Sequence, residues 1–134
     1  MNRPYLSRVA SELRKNGHVV IDGRPCKIVG RKPSQDTISL EGIDLFTGQH
    51  HKCTVSTDET VDVPSVSRTE YQLILIDQGL FNLMTQNGTL KDDIKVPTGS
   101  LGSNISSDFN EGKDLLVTVV RAMGEEQATS YREA

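Results

Sequence analysis

Short runs of β-branched and apolar residues, separated by glycine-containing turns, dominate the hydrophobic pattern of this chain. Dipeptides that end in glycine fall between successive runs, at Asn16-Gly17, Asp22-Gly23, Thr47-Gly48, Gln78-Gly79 and Asn87-Gly88. Asn-Gly and Asp-Gly supply the positive φ angles that tight hairpins require. Strands that recur at intervals of about 8–12 residues predict a small barrel or a sandwich.

In the first half, the pattern predicts strands at residues 18–21, 26–29, 37–40, 43–46 and 49–55. Residues 37–40 alternate polar and apolar side chains with the period of two that is typical of a half-buried strand. We interpret residues 30–36 as a short polar connection. Residues 61–68 include Pro64 and are interpreted as a linker, because proline is excluded from central strands.

In the second half, the pattern predicts strands at residues 71–76, 79–84, 89–91 and 115–121 and one helix at 100–110. Leu101, Ile105 and Phe109 recur every four residues and share one helical face, and Gly112 follows as a C-cap. A barrel with a helix between its third and fourth strands has the element order of an OB-fold. We therefore predict a mainly β protein with two domains, residues 1–66 and 67–134.

Composition narrows the class of protein. The chain has 134 residues, of which 35% are hydrophobic, and no apolar run approaches the roughly 18 residues of a membrane span. Two cysteines do not form a disulfide framework, so a reducing compartment is expected. We predict a cytoplasmic protein that does not contact membranes.

Charge is distributed unevenly along the chain, although the net charge is only −3. Residues 1–32 carry eight basic and two acidic residues, whereas residues 69–134 carry five basic and ten acidic residues. This asymmetry favours a polyanionic partner for the basic end, with a solvated basic face as the alternative. The acidic second half repels phosphates, and two of its four aromatic residues, Phe81 and Phe109, fall at predicted core positions, so we expect it to be a packing domain.

The sequence offers little catalytic or metal-binding chemistry. His50, His51 and Cys53 lie close together and Cys26 could approach them, but His50 and Cys53 point to opposite faces of a strand, which is unsuitable for zinc. No phosphate-binding loop or dinucleotide fingerprint is present. We therefore predict no catalytic residues, no metal, no cofactor and no small-molecule substrate.

Several stretches resemble the eukaryotic translation factor 5A family. They are Glu-Leu-Arg-Lys-Asn-Gly-His-Val-Val-Ile at 12–21, Gly-Arg-Pro-Cys-Lys-Ile-Val at 23–29, Gly-Ile-Asp-Leu-Phe-Thr-Gly at 42–48 and Val-Thr-Val-Val-Arg-Ala-Met at 117–123. The resemblance is collinear and covers nearly the whole chain. It implies an SH3-like (KOW-like) barrel followed by an OB-fold, and a translation factor that binds the ribosome or RNA during elongation.

One segment departs from the family's pattern. Family members carry a longer loop between the third and fourth strands, in which a lysine flanked by glycine and histidine is converted to hypusine. Here the corresponding residues 30–36 are several residues shorter, lack Gly-Lys-His and retain only Lys32 as a lysine. Pro33 favours a tight turn with Lys32 at its first position. We therefore expect Lys32 to be unmodified.

Two functions follow from the resemblance. The first is a ribosome- or RNA-binding paralogue that works without hypusine and uses its basic N-terminal barrel. Its candidate contact residues are Arg14, Lys15, Arg24, Lys27, Arg31 and Lys32, of which Arg24 has the alternative role of shaping a turn. The second is a self-assembling structural protein that forms a homo-oligomer or a higher assembly. The Woronin-body core protein of filamentous fungi resembles the family, lacks the modified lysine and assembles in this way.

Overall fold

The computed structural model describes residues 5–134 and divides the chain into two compact units, with the boundary between Ser65 and Val66. This division lies one residue before the predicted domain boundary. Arg3, which contributes to the basic charge of the first 32 residues, lies outside the described range. Each unit has its own hydrophobic core.

The first unit is built from two antiparallel sheets. A four-stranded sheet has the order β2-β3-β4-β5, and a two-stranded sheet pairs β1 with β6. The strands are β1 (Tyr5–Val9), β2 (His18–Ile21), β3 (Arg24–Pro33), β4 (Thr37–Asp44), β5 (His50–Ser56) and β6 (Thr60–Pro64), with a 3₁₀ turn at Ala10–Glu12 between β1 and β2.

Strand β4 shows why this sheet forms. Its residues alternate between the two faces, and Ile38, Leu40, Gly42 and Asp44 are buried. A Cβ atom on Gly42 would lie 2.8 Å from the Cβ of Cys26, so the absence of a side chain there permits the close approach of β3. The inner face of the sheet is therefore fixed by the period-two pattern together with one glycine.

Two interpretations of the first half are wrong. The residues interpreted as a linker, 61–68, instead form most of β6 and the start of β7, and only Ser65 lies between the two strands. Pro64 is tolerated because it is the last residue of β6, where it pairs with Tyr5. The polar connection predicted at 30–36 comprises only residues 34–36, because β3 continues to Pro33.

The second unit is a five-stranded antiparallel sheet of order β11-β10-β7-β8-β9. Its outermost strands approach each other, since the ammonium of Lys91 on β9 lies 3.0 Å from a carboxylate oxygen of Glu126 on β11. The strands are β7 (Val66–Asp77), β8 (Leu80–Met84), β9 (Leu90–Lys95), β10 (Leu115–Ala122) and β11 (Glu125–Glu133). Strand β11 was not predicted from the sequence.

The helix of the second unit, α1 (Ser100–Asn110), has the predicted bounds and lies between the third and fourth strands of its sheet. Ile105 is buried in the core, and Leu101 and Phe109 pack against it. Gly102 fits closely under the preceding segment, because a Cβ there would lie 1.9 Å from the carbonyl oxygen of Pro97. Within residues 5–134, no helix has the length and apolar character needed to cross a bilayer.

Candidate nucleic-acid interface

The six predicted contact residues fall into three groups in the structure. Lys27 and Lys32 are exposed on β3, Arg14 and Lys15 are exposed in the segment between the 3₁₀ turn and β2, and Arg24 and Arg31 are half-buried. All six lie in the first unit, but they do not form one continuous patch of equivalent side chains. Each group therefore has a different capacity to contact an anion.

Lys32 lies in a strand and not at the first position of a turn, which corrects the sequence-based expectation. It pairs with Ser39 on β4, and Pro33 pairs with Ile38. The turn begins later, where the amide N–H of Ser34 donates to the carbonyl of Thr37 at 2.7 Å. Pairing extends to Pro33 because proline is acceptable at a strand end, and because β4 continues to bury Ile38.

Two arginines meet at the backbone of the 3₁₀ turn. Arg14 donates from Nη1 to the carbonyl of Ser11 at 2.8 Å, and Arg31 donates from Nη2 to the same oxygen at 3.4 Å. The Nε atom of Arg31 is buried and has no hydrogen-bond partner among the described residues. Arg31 therefore uses part of its hydrogen-bonding capacity inside the domain, whereas the side chains of Lys27 and Lys32 on β3 project into solvent.

Arg24 has a structural role. Its guanidinium donates from Nε to Oδ2 of Asp44 at 2.7 Å and from Nη2 to Oδ1 at 3.3 Å. Burial alone would raise the pKa of Asp44, but the Arg24 guanidinium and the backbone amides of Phe46 and Thr47 hold that pKa well below its usual range. The guanidinium of Arg24 therefore pairs with the buried carboxylate of Asp44, and we exclude Arg24 from the proposed contact surface.

A shallow cleft lies beside Lys32 on the outer face of the four-stranded sheet. Its volume is about 570 Å³, and its lining includes Lys32, Glu41 and Lys52 together with the hydroxyl-bearing residues Ser39 and Thr54. Lys52 was not among the predicted contact residues. Lys52 lies outside the basic stretch of residues 1–32, and only strand register places it opposite Glu41 on the neighbouring strand.

The basic end of the chain does not form a strongly basic domain. Residues 1–65 contain nine basic and eight acidic residues, a net charge of +1, whereas residues 66–134 contain six basic and ten acidic residues, a net charge of −4. The acidic residues that follow Lys32 offset most of the charge of the first 32 residues. Any attraction for an anion must therefore come from a local face of the first unit.

Half of the six cations in the second unit are held in ion pairs, namely Lys91, Lys113 and Arg132. Lys91 pairs with Asp93 and Glu126, and Arg132 pairs with Glu70. Its aromatic side chains belong to its core: Phe81 is fully buried, and Tyr71, Phe109 and Tyr131 pack against the buried cluster. Stacking on bases requires exposed aromatic faces. The aromatic side chains of this unit are therefore used for packing, and its role as a packing domain stays a prediction.

The histidines and cysteines of the first unit make local contacts. His50 Nδ1 lies 3.2 Å from Glu41 and His51 Nδ1 lies 3.0 Å from Asp22. Burial raises the pKa of both thiols, Cys26 and Cys53, which disfavours the reactive thiolate. Within residues 5–134, no group of three or more His, Cys, Asp or Glu residues is arranged to hold a metal ion.

Comparison with known families identifies both halves of the chain. A family model described as translation initiation factor 5A-like, N-terminal, matches residues 6–59. A second model, described as eukaryotic elongation factor 5A hypusine, DNA-binding OB fold, matches residues 65–132. The chain belongs to the translation factor 5A family. The resemblance inferred from the sequence is thereby confirmed.

Individual relatives support this identification. Eukaryotic translation initiation factor 5A-1 of Schizosaccharomyces pombe is 48% identical over 130 residues, which cover 92% of this chain and 83% of that protein. Factor 5A-2 of Saccharomyces cerevisiae is also 48% identical, with the same coverage of both chains. Translation factor 5A proteins are translation factors and are not an enzyme family.

Solved structures confirm the fold class. A translation initiation factor 5A family protein from Naegleria fowleri superposes with a TM-score of 0.93 at 32% identity, covering 97% of this chain and 99% of the other. Factor 5A from Methanococcus jannaschii superposes with a TM-score of 0.75 at 20% identity, covering 96% of each chain, and supports the fold alone. The predicted order, an SH3-like barrel followed by an OB-fold, is confirmed.

Proposed function

We propose that this translation factor 5A protein binds the ribosome or RNA during elongation in the cytoplasm through one face of its N-terminal domain. The observation that carries the proposal is the state of three lysines, Lys15, Lys27 and Lys32. All three are exposed, and none forms an ion pair within the part of the chain that the structure describes. The second unit, in contrast, carries a net negative charge. Arg14 and Arg31, which meet at the carbonyl oxygen of Ser11, are further candidate contacts at a separate place on the domain.

We further propose that this protein works without hypusine. Supporting this, only Ser34, Gln35 and Asp36 connect β3 to β4, and Lys32 is held in the ladder opposite Ser39. As the penultimate residue of β3, Lys32 has its side chain over the sheet face. The lysine that family members convert to hypusine lies in a longer loop and can reach further from the domain. Contact with phosphates on the surface of a partner needs no such reach.

A structural role remains the second candidate, because the OB-fold domain exposes apolar side chains. Leu75 is 50% exposed and Leu90 is 66% exposed, which makes both available for contacts between copies. Under this hypothesis the protein forms a homo-oligomer or a higher assembly, and its particles contain no RNA.

Sedimentation of a lysate on sucrose gradients at low and high salt separates the two candidates. Wild-type protein should co-migrate with ribosomes at low salt and dissociate as salt rises, because each phosphate contact releases counterions. Alanine substitution of Lys27 and Lys32 together should weaken this binding and flatten the salt slope by roughly 1.5–2 units. A matched control removes two exposed cations from the second unit, Lys95 and Arg121.

The outcomes of this experiment are distinct. Equal behaviour of the two double variants would show that the contact surface lies elsewhere. A large particle that lacks ribosomal RNA at low salt would favour the structural role. Co-migration that is indifferent to both salt and the Lys27/Lys32 substitutions would contradict an electrostatic contact.

A further inference from the structure

The cleft beside Lys32 exists because a glycine interrupts the outer face of the sheet. Cross-strand register places Gly30 opposite Glu41, and Glu41 opposite Lys52. Two residues further along the strands, a second row of side chains aligns Lys32 with Ser39 and Ser39 with Thr54. Since Gly30 has no side chain, the floor of the cleft is backbone and its walls are the side chains of the two rows.

Two cations stand on opposite sides of this floor. Lys32 and Lys52 are two strands apart and two residues apart along the strands, so ladder spacings place their Cα atoms about 12 Å from each other. Within residues 5–134, neither forms an ion pair with a neighbouring carboxylate. Both ammonium groups are therefore available to one phosphate, or to two successive phosphates, lying over Gly30.

Glu41 contributes a hydrogen-bond acceptor to the wall of the cleft. Oε1 of Glu41 lies 3.2 Å from Nδ1 of His50, which leaves Oε2 turned over the floor, 3.5 Å from where a Cβ on Gly30 would stand. A carboxylate at that position repels a bare anion. A ligand that suits the cleft must therefore carry a hydrogen-bond donor beside its phosphate.

A ribonucleotide carries these two groups in the required order. Its phosphate suits the lysines, and its 2′-hydroxyl can donate to a carboxylate while the hydroxyls of Ser39 and Thr54 contact the sugar–phosphate backbone. The side chains of Ser39 and Thr54 are exposed, and their hydroxyl oxygens lie 3.3 Å apart. Because no aromatic residue lines the cleft, this chemistry selects the sugar and the phosphate but not the base.

We propose that the cleft over Gly30 binds one ribonucleotide of single-stranded RNA, with Lys32 and Lys52 on its phosphates and Glu41 accepting its 2′-hydroxyl. This inference rests on the proposed function and names the contact that would give it a preference for RNA over DNA. It also adds Lys52, Glu41 and Gly30 to the residues expected to affect binding.

The test measures the affinity of the full chain for a 12-nucleotide oligouridine and for the matching deoxyoligonucleotide, over a series of salt concentrations. The central variant is Gly30→Val, which fills the floor without changing any charge. Valine suits a strand, although its Cβ would lie 3.3 Å from the Cβ of Glu41 and a small shift is needed. Ile43→Val, on the same face but outside the cleft lining, is its matched control.

Gly30→Val should weaken RNA binding about tenfold and flatten the salt slope by up to roughly 1.4 units, because single-strand contacts contribute about 0.7 each. Lys52→Ala should flatten the slope by about 0.7 without disturbing the fold, whereas its control, Lys95→Ala in the second unit, should leave the slope unchanged. Lys52→Ala keeps the test valid if Gly30→Val does not fold.

Glu41 supplies the most specific readout. Wild-type protein should prefer RNA to DNA by about tenfold, as expected for one hydrogen bond to a charged acceptor. Glu41→Ala should reduce that ratio to about one, and Glu41→Gln, which retains an acceptor oxygen without the charge, should preserve part of it. If Glu41→Ala instead strengthens binding to RNA and DNA equally, the carboxylate only repels and the proposal is wrong.

The remaining outcomes separate this inference from the proposed function. If wild-type protein binds RNA but the Gly30 and Lys52 variants match their controls, the nucleotide site is wrong while RNA binding by the domain stands. If wild-type protein binds ribosomes but no free RNA, the site is also wrong, and the proposed function survives through other ribosomal contacts. If it binds neither, both are overturned.

Discussion

The Arg24–Asp44 pair should account for a large part of the stability of the N-terminal domain. Asp44 is 2% exposed and accepts four hydrogen bonds, two from the Arg24 guanidinium and two from the amides of Phe46 and Thr47. Removing one partner of a fully buried pair costs about 3–5 kcal/mol. The lower end of that range, about 3 kcal/mol, applies here because the Arg24 side chain is 30% exposed and water compensates part of its charge. Asp44→Ala should therefore lower the free energy of unfolding by that amount, and Asp44→Asn by about 2 kcal/mol.

The same pair predicts a definite dependence on pH. The pKa of Asp44 is depressed in the folded state, so its contribution is present above the unfolded-state pKa near 3.9 and is lost as the pH falls toward the folded-state value. The difference between wild type and Asp44→Asn should be constant from pH 5 to 7. Below about pH 4 it should shrink by roughly 1.4 kcal/mol per pH unit.

Urea titration followed by far-UV circular dichroism measures the unfolding free energies, and hydrogen exchange of β3–β5 amides assigns the loss to the first domain. Asp58→Ala, at an exposed position after β5, is the control and should change stability by less than about 0.5 kcal/mol. A loss below about 1 kcal/mol for Asp44→Ala, or a difference that is the same at pH 3 as at pH 7, would refute the reasoning.

Three further predictions concern other positions. Gly42→Ala should destabilise the first domain by about 1–3 kcal/mol, since its new Cβ would stand 2.8 Å from the Cβ of Cys26; urea titration checks this. Gly102→Ala should be more damaging, because the contact at 1.9 Å is with the rigid backbone of Pro97, and it should lower the thermal midpoint of the second domain. Lys32 should carry no aminobutyl group in protein from its native source, which mass analysis of the peptide containing it can contradict.

Much of the fold could be predicted because one face of most strands is buried. Residues 37–40 alternate clearly, and helix α1 was predicted with its observed bounds since Leu101, Ile105 and Phe109 fall on one face. The strands that were missed, β1, β6 and β11, bury little. β11 has only Ala128 buried and shows no alternating hydrophobic pattern. β6 does alternate, with Val61 and Val63 packed against the core, but Pro64 led to its interpretation as a linker. Such strands form because they pair with a neighbouring strand, and the residues of one strand alone do not predict that pairing.

The candidate site was less predictable because register assembles it. Counting charge along the chain identified Lys27 and Lys32 but could not show that Lys52, twenty residues further on, lines the same cleft as Lys32. Nor could it show that Arg24 faces the buried carboxylate of Asp44. The cue available in the sequence was the glycine: Gly30 within a run of strand-forming residues indicates a bulge or a bare patch of backbone.

The pairing of β1 with β6 has a consequence for synthesis of the protein. Tyr5 pairs with Pro64, so the first and last strands of the N-terminal domain are neighbours, and this ladder closes a loop of almost the entire domain. A nascent chain that stops before Thr60 lacks the partner of β1, and the domain can be completed only once its final strand has emerged. Because Val66 directly follows the first domain, all residues of that domain are synthesised before those of the second, and we expect the two units to fold in the order of their synthesis.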